Sequence, residues 1–234
     1  MTSAARRIAA FAAIVIVFGV LRVPAASADN GLESWLRSDP RAAQYRPIAD
    51  EATELARVLA DSNIPDGFLV RIIAEAAAKR VSPTAVVSVF RRTVDAFLAA
   101  NAVLSEVGFL PERPDGRDSL FVRLGIVFSA GLDVSVFEEL VVYADNLDKL
   151  LTVSEAIAET LSVTDLEPDA KTALGRSLLA SRLPVSAYGS VPSVYLRGRA
   201  GGLSTDDVTT VIIDALGRGG GLVQIDAELR RRVR

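Results

Sequence analysis

Five short stretches of this chain repeat one local pattern: an apolar residue, a Ser, Asp or Pro directly after it, and a second apolar residue five places after the first. The pairs are Ile64 and Leu69, Val81 and Val86, Leu132 and Phe137, Leu183 and Tyr188, and Leu203 and Val208. A Ser or Asp in that place can accept from the orphan backbone donors of a helix's first turn. The flanking apolar pair then meets as a hydrophobic staple, which fixes the angle at which the chain enters the helix. Ser82, Asp133 and Ser204 are the predicted N-caps. Pro83 suits a first helical position, and Ser204 with Asp207 approximates a capping box.

The residue just before each staple carries the other half of the pattern. Asn63, Gly131 and Gly202 tolerate the left-handed backbone that closes a preceding helix. Arg80 and Arg182 hold that place in the remaining copies, where positive φ is costlier. Pro65 and Pro184 lack a capping oxygen, so the copies that carry these arginines or prolines predict a turn without its geometry. Each corner therefore reads as a tight junction between two helices.

Between corners the apolar spacing is helical. One face carries Leu69, Ile72, Ile73 and Ala76, and a second carries Val86, Phe90, Val94, Phe97 and Leu104. A third runs through Phe137, Leu140, Val141, Ala144, Leu147 and Leu151, and a fourth through Val208, Val211, Ile212 and Ala215. Thr152 with Glu155 forms a further capping-box pattern, which predicts a helix start near Val153. The fold class expected is all-α, with short helices joined by repeated tight αα corners.

A longer period overlies the corners. Leu132 stands 51 residues after Val81, and Leu183 another 51 after Leu132, with Pro-Asp pairs upstream at Pro65, Pro114 and Pro168. Those intervals admit a short α-solenoid of about three units. The alternative is an irregular helical bundle that reuses one helix-turn solution. In architecture alone the repeated corners resemble α-solenoid interaction proteins, and no functional residue carries over from that likeness.

The organisation expected is a signal peptide at 1–28, an irregular segment at 29–49 and a single repeat-like helical domain at 50–234. Arg6 and Arg7 precede a 14-residue apolar run at 8–21, and Ala26-Ser27-Ala28 offers a small-residue cleavage site. A spanning helix needs about 20 apolar residues, which disfavours the competing reading of an uncleaved anchor. The paired arginines match twin-arginine export weakly, so general secretion to the periplasm or beyond is the expectation. In 29–49, Trp35 with Leu32 and Leu36 is read either as a docking helix or as packing on the first helices. The glycine runs at 198–202 and 217–221 are read as flexible helix ends.

Chemistry is bounded mainly by absence, for the chain has no histidine and no cysteine. Histidine-activated nucleophiles and zinc, haem or iron–sulfur sites built on imidazole or thiolate are excluded. The only lysines, Lys79, Lys149 and Lys171, stand in no Ser-x-x-Lys arrangement. Glu138 and Glu139 are the first carboxylates to inspect for glycan hydrolysis, yet neighbours on a helix diverge by about 100°. The segment 145–149 lacks the spacing of a calcium loop, and the arginines at 230–234 read as a solvated helix end.

Without the leader's three arginines the chain has 23 basic and 29 acidic residues, a net charge of −6. That disfavours nucleic acid as a partner. The functional expectation is an exported, non-enzymatic helical module that binds another envelope protein or peptide. Its candidate contacts are Arg71, Arg91, Arg92 and Arg123. No catalytic, cofactor-binding or metal-ligating residue is predicted, and the rival is a carboxylate-dependent cell-wall glycan hydrolase.

Overall fold

Among the described residues six helices end on a residue with positive φ: Asn63 (54°), Arg80 (57°), Gly108 (70°), Gly131 (102°), Gly202 (88°) and Gly219 (75°). In each case the next residue's N–H reaches back five residues to a helix carbonyl, as Ile64 does to Leu59 and Val81 to Ala76, both at 2.9 Å. This is the Schellman closure. At five of the six, that next residue is apolar (Ile64, Val81, Phe109, Leu132, Leu203), and it seals the finished helix while leading into the next element. Ser82 and Ser204 then cap new helices as predicted, with Ser204 and Asp207 forming a complete capping box.

The computed structural model describes residues 31–233. The predicted signal peptide at 1–28 lies outside them. Among the described residues the fold is all-α, with no strand. The helices are α1 (Leu32–Ser38), α2 (Ala49–Asp61), α3 (Gly67–Ala78), α4 (Pro83–Glu106), α5 (Pro114–Ser129) and α6 (Val134–Val141). They continue with α7 (Leu147–Leu161), α8 (Pro168–Ala180), α9 (Val191–Ala200), α10 (Thr205–Gly217) and α11 (Leu222–Arg232). Two 3-10 segments, Pro40–Ile48 and Val185–Ser190, precede α2 and α9.

The helices pack in two ranks. Among the even-numbered ones, α2 packs on α4, α4 on α6, α6 on α8 and α8 on α10. Among the odd ones, α1 packs on α3, α3 on α5, α5 on α7, α7 on α9 and α9 on α11. Each helix thus meets the one two places along, as in stacked helical hairpins. One continuous core joins the ranks, from Leu32 to Leu229. Two glycines permit the closest approaches within a rank: a Cβ on Gly125 of α5 would stand 2.6 Å from the Phe68 ring of α3, and one on Gly175 of α8 would stand 2.5 Å from Leu140 of α6.

Ion pairs follow the same two-step pattern. Arg91 bonds Glu51 (2.6 Å, α4 to α2), Arg123 bonds Glu155 (2.6 and 2.9 Å, α5 to α7), and Arg176 bonds Glu139 (3.0 Å, α8 to α6). Arg197 likewise holds Asp226 at 2.7 Å, from α9 to α11. These pairs reinforce a register that apolar burial sets.

Several expectations need correction. The two 51-residue intervals do not enclose equivalent units, because the first holds α4 and α5 and the second holds α6, α7 and α8. Helix α7 starts at Leu147, not near Val153: Asn146 caps it by accepting from Lys149 N–H at 2.9 Å, and Thr152 Oγ1 bonds back to Asp148 O within the helix. The third apolar face is consequently split, since α6 stops at Val141. Asp133 precedes α6 but makes no side-chain cap there. Ser181 ends α8 in extended backbone, so the corner containing Arg182 lacks the left-handed closure. Asp66 is turned away from its own helix: its carboxylate accepts from Leu32 N–H at 2.7 Å and so caps α1, 34 residues upstream.

Candidate functional site

An open pocket of about 280 Å³ lies where α4 meets the corner between α5 and α6. Helix α4 supplies Val89, Arg92, Thr93, Ala96 and Phe97, whose spacing places them on one face. The end of α5 supplies Gly125, Phe128 and Ser129, and the corner adds Leu132, Asp133 and Val134. The positive φ of Gly131 folds the chain back there, which buries Leu132 and carries Asp133 to the rim.

Aromatic packing fixes the walls. Phe97 stacks in a tilted series with Phe68 and Phe121, at centroid distances of 5.9 and 5.2 Å, and Phe128 meets Phe137 edge-on at 5.6 Å. Such pairs hold rings in set orientations beyond what burial alone does. The volume persists because the α4 face carries Ala96 at its middle, where a larger apolar side chain would fill it.

Charge is distributed unevenly around this pocket. Among its lining residues Arg92 is the cation and Asp133 the carboxylate. Asp133 is already engaged, because Lys171 of α8 donates to its Oδ2 at 2.7 Å and also to Gly131 O at 3.2 Å. The Lys171 side chain is only 10% exposed, whereas that of Asp133 is 48% exposed, so the pair is shielded on the lysine side and open to solvent on the other. Arg92 is exposed, and its Nε donates to Ser88 O at 3.3 Å. Thr93 and Ser129 add hydroxyls to an otherwise apolar lining.

Of the four arginines proposed as contacts, only Arg92 lines the pocket. Arg91 and Arg123 are committed to pairs within the helical ranks, and the bidentate bond to Glu155 raises the pKa of Arg123 above its ordinary value. Arg71 sits half-buried on α3. Glu139 is paired with Arg176 while Glu138 is half-buried, and neither lines the pocket.

The other sequence features have structural places. Trp35 packs beside Tyr45 with ring centroids 6.4 Å apart, Leu32 is fully buried, and Arg41 lies over the indole at 5.9 Å. Lys149 donates to the Leu179 carbonyl at the end of α8. The glycines at 198–202 and 217–221 supply a close approach at Gly198, left-handed closures at Gly202 and Gly219, and the N-cap of α11 at Gly221. Among the described residues no cluster of acidic side chains could hold a metal ion, and no helix is long and apolar enough to cross a membrane.

Sequence reasoning missed the pocket itself. The signal available was the 89–92–93–96–97 face of α4, which carries Arg and Thr among apolar residues and a small alanine at its centre. No family model matches this chain, nor does any curated protein or solved structure.

Proposed function

We propose that this protein is an exported α-helical binding module of the bacterial cell envelope, which captures a segment of another protein or peptide in the pocket between α4, α5 and α6. The pocket carries this reading: it is apolar, preformed, walled by packed aromatics and rimmed by few polar groups, as anchor sites at interfaces are. Its volume of about 280 Å³ lies at the lower edge of the roughly 300–1,000 Å³ typical of small-molecule sites. That is room for one large side chain. The charged and apolar pattern of the N-terminal segment supports export.

Glycoside cleavage finds less support at this site. It needs two carboxylates about 5–9.5 Å apart across the scissile bond, and Asp133 is the single carboxylate on the lining.

The test is capture from solubilised envelopes by C-terminally tagged full-length protein, compared with a Val89→Phe variant that fills the pocket from its half-buried edge. The expected result is a partner retained by the natural protein and lost by a folded Val89→Phe variant, with a mature N-terminus at Asp29. Equal retention by both proteins would remove the pocket from the account. Turnover of purified wall glycan would favour the hydrolase.

A further inference from the structure

We infer that this chain forms a two-fold dimer, in which one edge of the helical stack packs antiparallel against the same edge of a second copy. The surface concerned is apart from the pocket, and the inference does not rest on the pocket reading.

Topology defines the edge. Successive helices alternate in direction, so each even helix ends where the next odd one starts, and these corners line up along one side. Contacts tie the corners together: Asp66 accepts from Leu32 N–H at the start of α1, Arg117 of α5 donates to Asn63 O, and Lys149 of α7 donates to Leu179 O. A Cβ on Gly221 would likewise stand 3.8 Å from Leu183. The pocket lies at the α5–α6 corner, on the opposite side.

Exposed apolar surface gathers on this edge. Of the seven large apolar side chains exposed among the described residues, five stand there: Val107 after α4, Val142 and Tyr143 after α6, Val185 after α8, and Val223 at the start of α11. Val142 and Val223 are the most open of the seven, at 74% and 79%. A row of apolar side chains spread along one side marks an interface, whereas scattered single ones do not.

Charge names the occupant. From the last residue of each even helix through the first turn of the odd one, the corners at 106–117 and 141–150 each carry a net charge of −1, and those at 180–194 and 217–225 each carry +1. An edge whose two halves differ in sign complements itself when turned end for end, which is the operation of a two-fold axis. The axis passes between the α6–α7 and α8–α9 corners, so Val142 and Tyr143 of one copy meet Val185 of the other, and Val107 meets Val223.

The inner contact also pairs charges. Arg182 is exposed and has no ion pair among the described residues. It comes opposite Asp145 of the second copy, which is open to solvent and reaches Lys149 of its own chain only at 3.9 Å. Arg218 is held by Glu228 within its own chain, so the outer contact is chiefly apolar. A lipid surface fits this edge less well, because two of the four corners are net acidic and anionic headgroups reward cations.

The test uses full-length protein, whose leader is common to every variant, so differences between variants report the edge. Sedimentation should show a concentration-dependent dimer. Arg182→Glu should raise its Kd by about tenfold, since a two-fold contact counts each substitution twice. Adding Asp145→Arg to Arg182→Glu should restore the dimer, a recovery that damage to the fold would not give. The chain has no cysteine, so Val142→Cys and Val185→Cys can be oxidised together. The 142–185 disulfide between copies should form faster than either variant's cross-link to itself.

A monomer at about 1 mM chain overturns the inference, as does a dimer indifferent to Arg182→Glu or faster cross-linking of either variant with itself. If the protein is monomeric and Val142→Glu costs it an envelope partner, the edge serves another protein and the inference falls. Capture at the pocket, read by Val89→Phe, stands or falls separately.

Discussion

Gly198 offers the sharpest test of the packing. It lies buried in α9, and a Cβ added there would stand 2.3 Å from Val208 Cγ2 of α10 and 3.5 Å from a Leu229 methyl of α11. Carbon atoms prefer about 3.5–4.0 Å, so the first contact is more than 1 Å too short. Val208 is fully buried and β-branched, with one favoured rotamer in a helix, so it cannot turn away. Overpacking of this kind costs about 2–3 kcal/mol, in the upper part of its range. Against that, Gly→Ala inside a helix gains about 1 kcal/mol in propensity. Gly198→Ala is therefore expected to lose about 1–2 kcal/mol net, or roughly 2–8 °C in Tm for a chain of this size.

Urea unfolding of Gly198→Ala, Val208→Ala and the double variant separates the two contributions. In the Val208→Ala background the clash is gone, so Gly198→Ala should turn neutral or stabilising by about 1 kcal/mol. Stabilisation by about 1 kcal/mol in the natural background would show that α9 and α10 do not approach as described and would refute the reasoning.

Three further expectations follow from particular side chains. Arg80 holds φ 57°, and Arg80→Gly should relieve about 1–2 kcal/mol of strain against about 0.5–1 kcal/mol of added chain entropy, for a small net gain in chemical denaturation. Burial pushes the Tyr195 phenol up to about 12 from an ordinary 10, and burial raises Tyr45 as well, so ultraviolet titration should show late phenolate ionisation of which Tyr195→Phe removes one component. The unfolded chain releases that proton first, so stability is unaffected below pH 10 and declines as pH rises from 10 toward 12; Tyr195→Phe should abolish that component. A double-mutant cycle on Arg123 and Glu155 should give a coupling of about 0.5–1 kcal/mol that weakens in high salt, and a coupling of zero would remove this pair as a link between α5 and α7.

The helix ends were the most legible part of the sequence, because they depend on local backbone chemistry. Asn63, Gly131 and Gly202 adopt the left-handed closure that their side chains permit, and Ser82 and Ser204 cap. Arg80 adopts the same closure despite its Cβ, since the apolar Val81 beyond it packs against the core. The break between α6 and α7 was not legible, for apolar spacing runs unbroken across it. Val142 and Tyr143 lie in that break and are 74% and 49% exposed, so hydrophobicity there marked surface and not a helix face. Asn146, the actual cap, lies in the segment 145–149, which sequence reasoning weighs only as a calcium loop.

The candidate site was legible only at Arg92. Its other elements depend on which helices meet across the ranks, and that follows from apolar contacts such as Phe97 of α4 against Phe121 of α5, which no local pattern encodes. The 51-residue spacing misled for a related reason. Corners recur wherever a helix must stop and another begin, whatever the helix lengths between them, and those lengths run from 8 residues in α6 to 24 in α4.

The most direct measurement is site-specific photo-crosslinking in envelopes, with a photoreactive residue placed in full-length protein at Thr93 on the pocket or at Arg230 on α11. The account predicts a discrete adduct with one envelope protein from Thr93, suppressed by Val89→Phe, and none from Arg230. An adduct from Arg230 alone, or a Thr93 adduct indifferent to filling the pocket, would contradict it.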